Sequence, residues 1–559
     1  MALSLGTKTF LVPGAYAITK IIQLAGQNLP IFNVGIQISK QMGGVPYTEG
    51  VGSTPALTAD KIILPYSDPA TYKSAAGDEG DNEGMTFFKY AKKVGAGIVF
   101  TLNVNPLTKA TGGVVQNATP VDTLTFATKK WGAHQNDIQL TIATSIHTVT
   151  PPKNVTYLAS NSGTGNSIVV KGINIPFSAG DAVLLTSNAY AAPVSKTIDS
   201  IDYSTRTITF TTAIAESALT ADYARIFQQD TAAAEVSTAL TNATKVANFY
   251  AASNYLSVAI APGITLMPTT LAATYVQNLT SVTKATSPAA SNTDWQNIAD
   301  NLARWNEEFA MVNKFYFRVI GLVTSDATNH AAFVTTATYM RSLNKPIQLV
   351  TGIALGGTDQ ISRAQALNSD EIQLAGWGLD GFAAYLSYAG ELFGIRLSNG
   401  ISHNQTNDTL VATSVEKAFT RDDANLPAYV VAGVMAIEAT ATGFKVVQGV
   451  TTYQDRLTTF NADTQKTYLI MLRDIADFKL RMWLELLDAQ VGADAVTAQL
   501  LSGILIQAGD KFVNDLGLAT SYSLVSITKE GNAFKVKDQM TGLLTPTDFI
   551  GLEQTLVLD

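Results

Sequence analysis

Cysteine is absent from all 559 residues, so neither a disulfide framework nor a thiolate metal site is available to this chain. Charge is scarce as well. Asp, Glu, Lys and Arg make up 15% of the residues, against about a quarter in ordinary globular proteins. A surface so poor in charge suits a protein that lives against other protein, although a plain Thr/Ala/Ser-rich soluble protein has the same composition. The net charge is −8, and no Lys/Arg cluster of the kind that tracks phosphates occurs, which argues against nucleic-acid binding. No basic segment followed by an apolar one opens the chain, so no signal peptide is expected. The longest apolar run, Ala428 to Ile437, is stopped by Glu438 and is too short to span a bilayer. The expectation is a protein that is soluble and cytoplasmic when made.

The motifs of catalysis are missing too. Of His134, His147, His330 and His403, no two stand four residues apart and none sits in an HExxH segment. No GxSxG elbow is present, and Ser402-His403 opens a polar loop; sequence order alone leaves a Ser/His/Asp triad undecided. Gly352 to Gly357 follows a strand but fits neither the GxGxxG nor the GxxxxGK[ST] spacing. Asp78, Asp81 and Glu83 lack EF-hand spacing and read as solvated acid ahead of a helix N-terminus. No catalytic, cofactor-binding or metal site is expected, and the chain does not read as an enzyme.

What is present concentrates in the last hundred-odd residues. Lys466 to Gln490 carries the strongest helix signal, with Met471, Ile475, Phe478, Met482 and Leu486 on one face. A second helix is expected from Asp494 to about Asp515, with Gly517 as its stop. Strands follow at Ser523–Ile527 and Phe534–Val536, separated by a turn at Glu530-Gly531-Asn532. Beyond Pro546 the chain ends in an alternating tail, Leu552 to Asp559. Its backbone groups must pair at an edge of its own sheet or add to the sheet of another molecule. At the other end, Thr7 to Ile18 is β-prone but broken by Pro13-Gly14, an edge strand or an extended arm.

In between, strands and helices alternate. A strand is expected at Lys61–Tyr66, a helix at Met85–Lys93 ended by Gly95, and a strand at Ile98–Val104. Residues 107–245 change texture to short Thr/Val/Ile strands: 124–127, 138–142, 167–170, 182–185 and 206–211. From Asn292 to about Gly400 the alternation returns. Asn292 or Thr293 caps a helix from Asp294 to about Asn306, and Phe315–Val323 follows as a strand. Helix 329–343, strand 347–351, helix 362–367, strand 372–375 and helix 382–393 complete the series, which predicts βαβ units with a partly parallel sheet. Tyr429–Glu438 and Phe444–Val450 read as a hairpin. The fold class is thus α/β and α+β multidomain, a mixed-sheet α/β core with an inserted all-β domain and extended arms at both ends. The expected division is 1–20 arm, 21–106 first part of the core, 107–245 insert, 246–450 core, 451–545 C-terminal domain and 546–559 arm strand.

Several stretches together resemble a tail sheath protein of a contractile-tailed bacteriophage. Val12-Pro13-Gly14-Ala15-Tyr16 resembles the family's N-terminal "PG-V-Y" motif, and Gly77 to Val104 its glycine loop, helix and strand. Trp131 to Ile138 is similar to a "G-x-W/x-G-N-x-I" segment, with the departure that the tryptophan precedes the glycine and three residues part Gly132 from Asn136. Ala364 to Ser369, the helix containing Tyr388-Ala389-Gly390, and Val446 to Thr452 with its "G-V/I-T-T" pattern add to the series, followed by the helix around Arg473 and Arg481. The resemblance implies hexameric rings stacked around a tail tube, with both arms adding strands to neighbouring subunits. Phe10, Val12, Pro13, Gly14, Tyr16, Ile18, Leu552, Gln554, Leu556 and Leu558 would form those arms. It places tube contacts in the C-terminal domain, for which Thr497–Gly517, with Gln507, Asp510, Lys511 and Asn514, is the candidate; the same helix equally reads as one that packs in the core. The implied partners are further copies of this chain, a tail tube protein, and baseplate and terminator proteins, with no cofactor and no membrane insertion. The expected place is a virion tail assembled in the host cytoplasm, and the task is driving the tube through an envelope for genome delivery. A bacteriocin or injection-system sheath, another self-assembling surface layer, and an α/β hydrolase are the alternatives.

Overall fold

The computed structural model describes residues 3–5, 8–10, 34–52, 55–77, 82–116, 122–143, 145–161, 165–172, 174–186, 193–214, 224–264, 275–278, 290–313, 316–343, 345–353, 359–378, 384–399, 405–412, 414–454, 497–514, 519–530 and 533–543. The chain divides into two compact units. One comprises Met1–Gln37, Thr86–Phe100 and Ala299–Asp559; the other comprises Ile38–Met85 and Thr101–Ile298.

In the first unit, strands Val319–Leu322, Gln348–Gly352, Ile372–Ala375 and Val434–Met435 pair in that order, all parallel. Gly35–Ser39 is the other neighbour of Val319–Leu322. Val319–Leu322 and Ile372–Ala375 are buried at every position, and Val319–Leu322 accordingly reads as a continuous apolar run, while the second includes the buried polar Gln373. Helices Ala327–Ser342, Gln360–Leu367 and Ala384–Asn399 lie between them in the chain. Asp326 starts the first, accepting bonds from the backbone N–H of Thr328 and Asn329. Glycines set the seat of Ala384–Asn399 against Glu83–Lys93. A Cβ on Gly390 would lie 2.3 Å from the Phe87 carbonyl oxygen, and one on Gly394 2.5 Å from that of Ala91. Only backbone without side chain fits there.

The second unit holds a closed six-stranded barrel in the order Pro152–Asn161, Ser167–Val170, Thr207–Phe210, Val194–Asp202, Ala182–Thr186 and Arg225–Gln229. Every pairing in it is antiparallel. Alternate residues point inward: Ile168, Val170, Val183, Leu185, Ile198, Ile208, Phe210 and Ile226 fill the interior. Beside it, Gln139–Ala143, Ile146–Thr150, Glu235–Val236 and Tyr275–Asn278 form a four-stranded sheet, and Thr111–Gln116, Asp122–Thr128 and Leu256–Ile260 a three-stranded one. Strands beyond residue 245 therefore complete sheets begun before residue 150.

The Trp131–Asp137 stretch fastens the barrel within this unit. Gly132, at φ +101°, turns the chain into a 3-10 turn over Ala133–Asp137. The Asp137 carboxylate then accepts two 2.7 Å bonds from the Arg225 guanidinium, both side chains fully buried. Gln229 donates to the Asp137 carbonyl at 3.0 Å. At the other end of the stretch, the Lys109 ammonium sits 3.9 Å from the Trp131 ring centroid.

Most expected elements occur within a few residues of their expected ends, and four differ informatively. Tyr429–Ala432 is helical, as part of Leu426–Ala432, because Pro427 suits a first turn and Gly433 at φ +89° ends it. The hairpin is instead Ile437–Thr440 with Gly443–Val446. Lys61 and Ile62 close a helical turn, Ala59–Ile62, before the strand Ile63–Tyr66. The Phe315–Val323 strand contracts to Val319–Leu322. The helix expected over 294–306 runs from Asn292 to Asn313, capped by Ser291: the Asp294 N–H donates to the Ser291 hydroxyl, and the Ser291 N–H donates back to the Asp294 carboxylate at 2.7 Å. Buried Trp305 and Phe309 carry its apolar face past Asn306. The Lys466–Gln490 helix, Gly517, Asp78, Asp81, His403, Val12 to Ile18 and the tail after Pro546 lie outside the described residues.

Candidate assembly surfaces

The N-terminal residues Leu3–Leu5 and Lys8–Phe10 form an antiparallel pair, with Phe10 opposite Leu3. Among the described residues this hairpin has no third strand. Of the expected arm residues only Phe10 is described; Val12, Pro13, Gly14, Tyr16, Ile18, Leu552, Gln554, Leu556 and Leu558 are not.

At the other end, helix Ala498–Asn514 packs on a long hairpin, Ala519–Glu530 with Ala533–Leu543. Leu501, Leu505 and Gly509, spaced four apart, make the buried face. The Tyr522 ring lies so close over Gly509 that a Cβ there would sit 1.7 Å from it. Opposite that face, Gln507, Asp510 and Asn514 are exposed, so three of the four candidate tube-facing residues look outward. The side chain of Lys511 is not described. The expected strand at 523–527 is the middle of Ala519–Glu530, and that at 534–536 lies near the start of Ala533–Leu543; both strands are more than ten residues long. Glu530 pairs with Ala533 across residues 531–532, the place where the sequence marks a turn. Among the described residues this hairpin too pairs with no other strand, leaving an outer edge on each side.

The titratable groups are absorbed by the fold. In Ala327–Ser342, His330 is fully buried; its Nε2 donates to the Thr324 carbonyl at 2.8 Å and lies 3.0 Å from the Thr351 hydroxyl. Burial pushes its pKa down to about 4. Likewise, His147 Nδ1 meets the Tyr250 hydroxyl at 2.7 Å, and burial lowers this imidazole to about 4. Both rings are neutral at pH 7. Burial raises Glu371, which accepts from the Ser369 and Thr338 hydroxyls beside Arg341. His403 and the side chain of His134 are not described. Among the described residues no group of three or more His, Asp or Glu could hold a metal ion, and no helix is long and apolar enough to cross a membrane.

No protein-family model and no curated protein matches the chain. Among solved structures it is similar to a sheath tail protein from Desulfitobacterium hafniense, at 14% identity over 91% of this chain and 96% of that one, with a TM-score of 0.49. It is also similar to a sheath tail protein from Listeria innocua, at 12% identity over 94% of this chain and 99% of that one, with a TM-score of 0.51. At that identity the Listeria likeness speaks to fold alone, over 94% of this chain.

Proposed function

We propose that this chain is the subunit of a contractile tail sheath, which polymerises as stacked rings around a tail tube and shortens to drive the tube through an envelope. The observation that carries this reading is the likeness in fold to the Listeria sheath tail protein over 94% of this chain. The hairpins near both ends, which among the described residues pair with no third strand, support it, because strand addition joins subunits through main-chain bonds that are indifferent to side-chain detail. Such joints persist while the bodies they connect repack. A long-lived extended state then needs a kinetic barrier, and contraction needs a lower final free energy. A modest gain in interface per subunit is multiplied along the polymer. In this reading residues 107–245 face outward, and Gln507, Asp510, Lys511 and Asn514 face the tube. The first partner is a further copy of the chain; a tube, a baseplate and a terminator protein follow from the same reading.

Negative-stain electron microscopy of the purified protein tests the proposal. Hollow tubes of regular width with helical striation are expected. Discrete small particles, both alone and with a tail tube as template, would overturn it. In the native source, contractile particles bearing nucleic-acid-filled heads would make this a phage sheath for genome delivery. Headless contractile particles would make it the sheath of a bacteriocin or injection system.

A further inference from the structure

The stretch Val446 to Thr452, singled out in the sequence by its Gly-Val-Thr-Thr pattern, is held together with the following residues to Gln454 by side chains at its far end. Thr452 is fully buried. Its hydroxyl donates to the Ser369 carbonyl at 3.0 Å and accepts from the Ser369 N–H at 3.1 Å, so one side chain reproduces the two bonds of a strand pair. The Thr452 N–H donates to the Ile372 carbonyl at 3.1 Å. Two residues on, the Gln454 N–H donates to the Asn368 side-chain oxygen at 2.7 Å. The Gln454 amide donates to the Ala432 carbonyl at 2.8 Å and reaches those of Ala364 and Thr452. Asn368 is itself at φ +36°, the left-handed cap of helix Gln360–Leu367. Two side chains thus tie the chain to the corner at 364–372 and to the end of helix Leu426–Ala432. The next residue, Asp455, opens the part of the chain that leads to the C-terminal helix and hairpin.

We propose that Thr452 and Gln454 form a latch that fixes the point at which the C-terminal part of the chain leaves the parallel sheet and its helices. A chain pulled from beyond residue 454 meets bonds to two separate elements before it meets the strands of the sheet. In a sheath, a reading on which this purpose rests, displacement of the C-terminal part is then passed to the body of the subunit rather than taken up by slack between them.

Hydrogen exchange read by mass spectrometry on the full chain tests the latch. Thr452→Val keeps shape but removes the hydroxyl, Thr452→Ser keeps the hydroxyl, and Gln454→Leu removes the amide. Thr452→Val and Gln454→Leu are each expected to speed exchange in peptides over 448–454 and 368–372 at least tenfold. Peptides over the Gln348–Gly352 strand should stay unchanged, and Thr452→Ser should match the parent. Unchanged exchange over 448–454 would overturn the proposal. An equal rise in Gln348–Gly352 would also overturn it, showing that these side chains merely support the core. If the parent forms tubes, those of Thr452→Val/Gln454→Leu should shorten less on contraction; equal shortening would remove the coupling role. A parent that forms no tubes sinks the sheath reading alone, and the exchange result decides the latch.

Discussion

A single missing Cβ decides how closely two helices of the α/β unit approach. At Gly390 the nearest atom is backbone, the Phe87 carbonyl oxygen at 2.3 Å, and backbone cannot swing aside as a side chain does. Gly390→Ala is therefore expected to destabilise the protein by about 2 kcal/mol in denaturant unfolding. Gly97→Ala, where an added Cβ would meet nothing within 4 Å, should be nearly neutral. Equal effects would mean that the helices are free to separate. The buried imidazoles make a second residue-level prediction. His330 in the folded protein titrates at about 4, whereas the unfolded chain takes up this proton near the ordinary 6.5. Between those values the unfolded state binds more protons, so this histidine's contribution falls as pH drops from 6.5 to 4 and is level outside that window. Between pH 7 and pH 5 it amounts to about 2 kcal/mol. Buried Asp137 and Glu371 and half-buried Glu416 have raised pKa values and oppose this trend, so the comparison needs a variant that keeps them. The loss of stability between pH 7 and 5 should shrink by about 2 kcal/mol in His330→Asn. An identical pH profile in the variant would show that protons reach the imidazole without unfolding.

Between elements, the weightiest contact is the Asp137–Arg225 pair, which joins the 3-10 turn to a barrel strand with no exposure of either side chain. A buried pair contributes little net stability while intact, because desolvation offsets the attraction, yet removing one partner strands a charge. Asp137→Ala should cost about 3–5 kcal/mol, and Asp137→Leu/Arg225→Met should recover most of that in a denaturant double-mutant cycle. Additive losses would show that the two charges do not depend on one another. At the C-terminal helix, Gly509 plays the part that Gly390 plays in the core. Its empty position receives the Tyr522 ring, and this contact turns the Gln507, Asp510 and Asn514 side away from the hairpin.

For the whole molecule, the proposal assigns the two ends of the chain to neighbouring subunits. Deleting residues 1–20, or all residues after Pro546, should leave a protein with parental circular dichroism and melting that no longer forms tubes. A deletion that lowers the melting midpoint by more than a few degrees would place that end in its own subunit's fold. Pairs of charges inserted in surface turns of residues 107–245 should leave tube formation intact. Tubes lost on such insertion would put that stretch at a contact between subunits. The low charge content belongs to this scale as well: a chain with 15% charged residues suits the extensive subunit contact that the proposal requires.

Much of the local structure follows from the amino-acid order. The strand at Ile372–Ala375 occurs at the expected residues, and the barrel strand Ser167–Val170 likewise, because short mainly apolar segments bounded by turn residues leave few alternatives. The C-terminal hairpin centres on Glu530 to Ala533, where turn chemistry marks it. Other features needed tertiary structure. Tyr429–Ala432 is apolar enough for strand or helix, and the choice rests on how Pro427 and Gly433 bound it and on Val434–Met435 finding a parallel neighbour. Closure of six short strands into a barrel depends on pairings far apart in the chain, which periodicity does not encode. The partners of Asp137, Thr452 and Gln454 lie about twenty to ninety residues away, so no local pattern announces them. Period and turn chemistry act between near neighbours and are legible in order alone; burial and pairing act between distant ones and are decided only once the chain has folded.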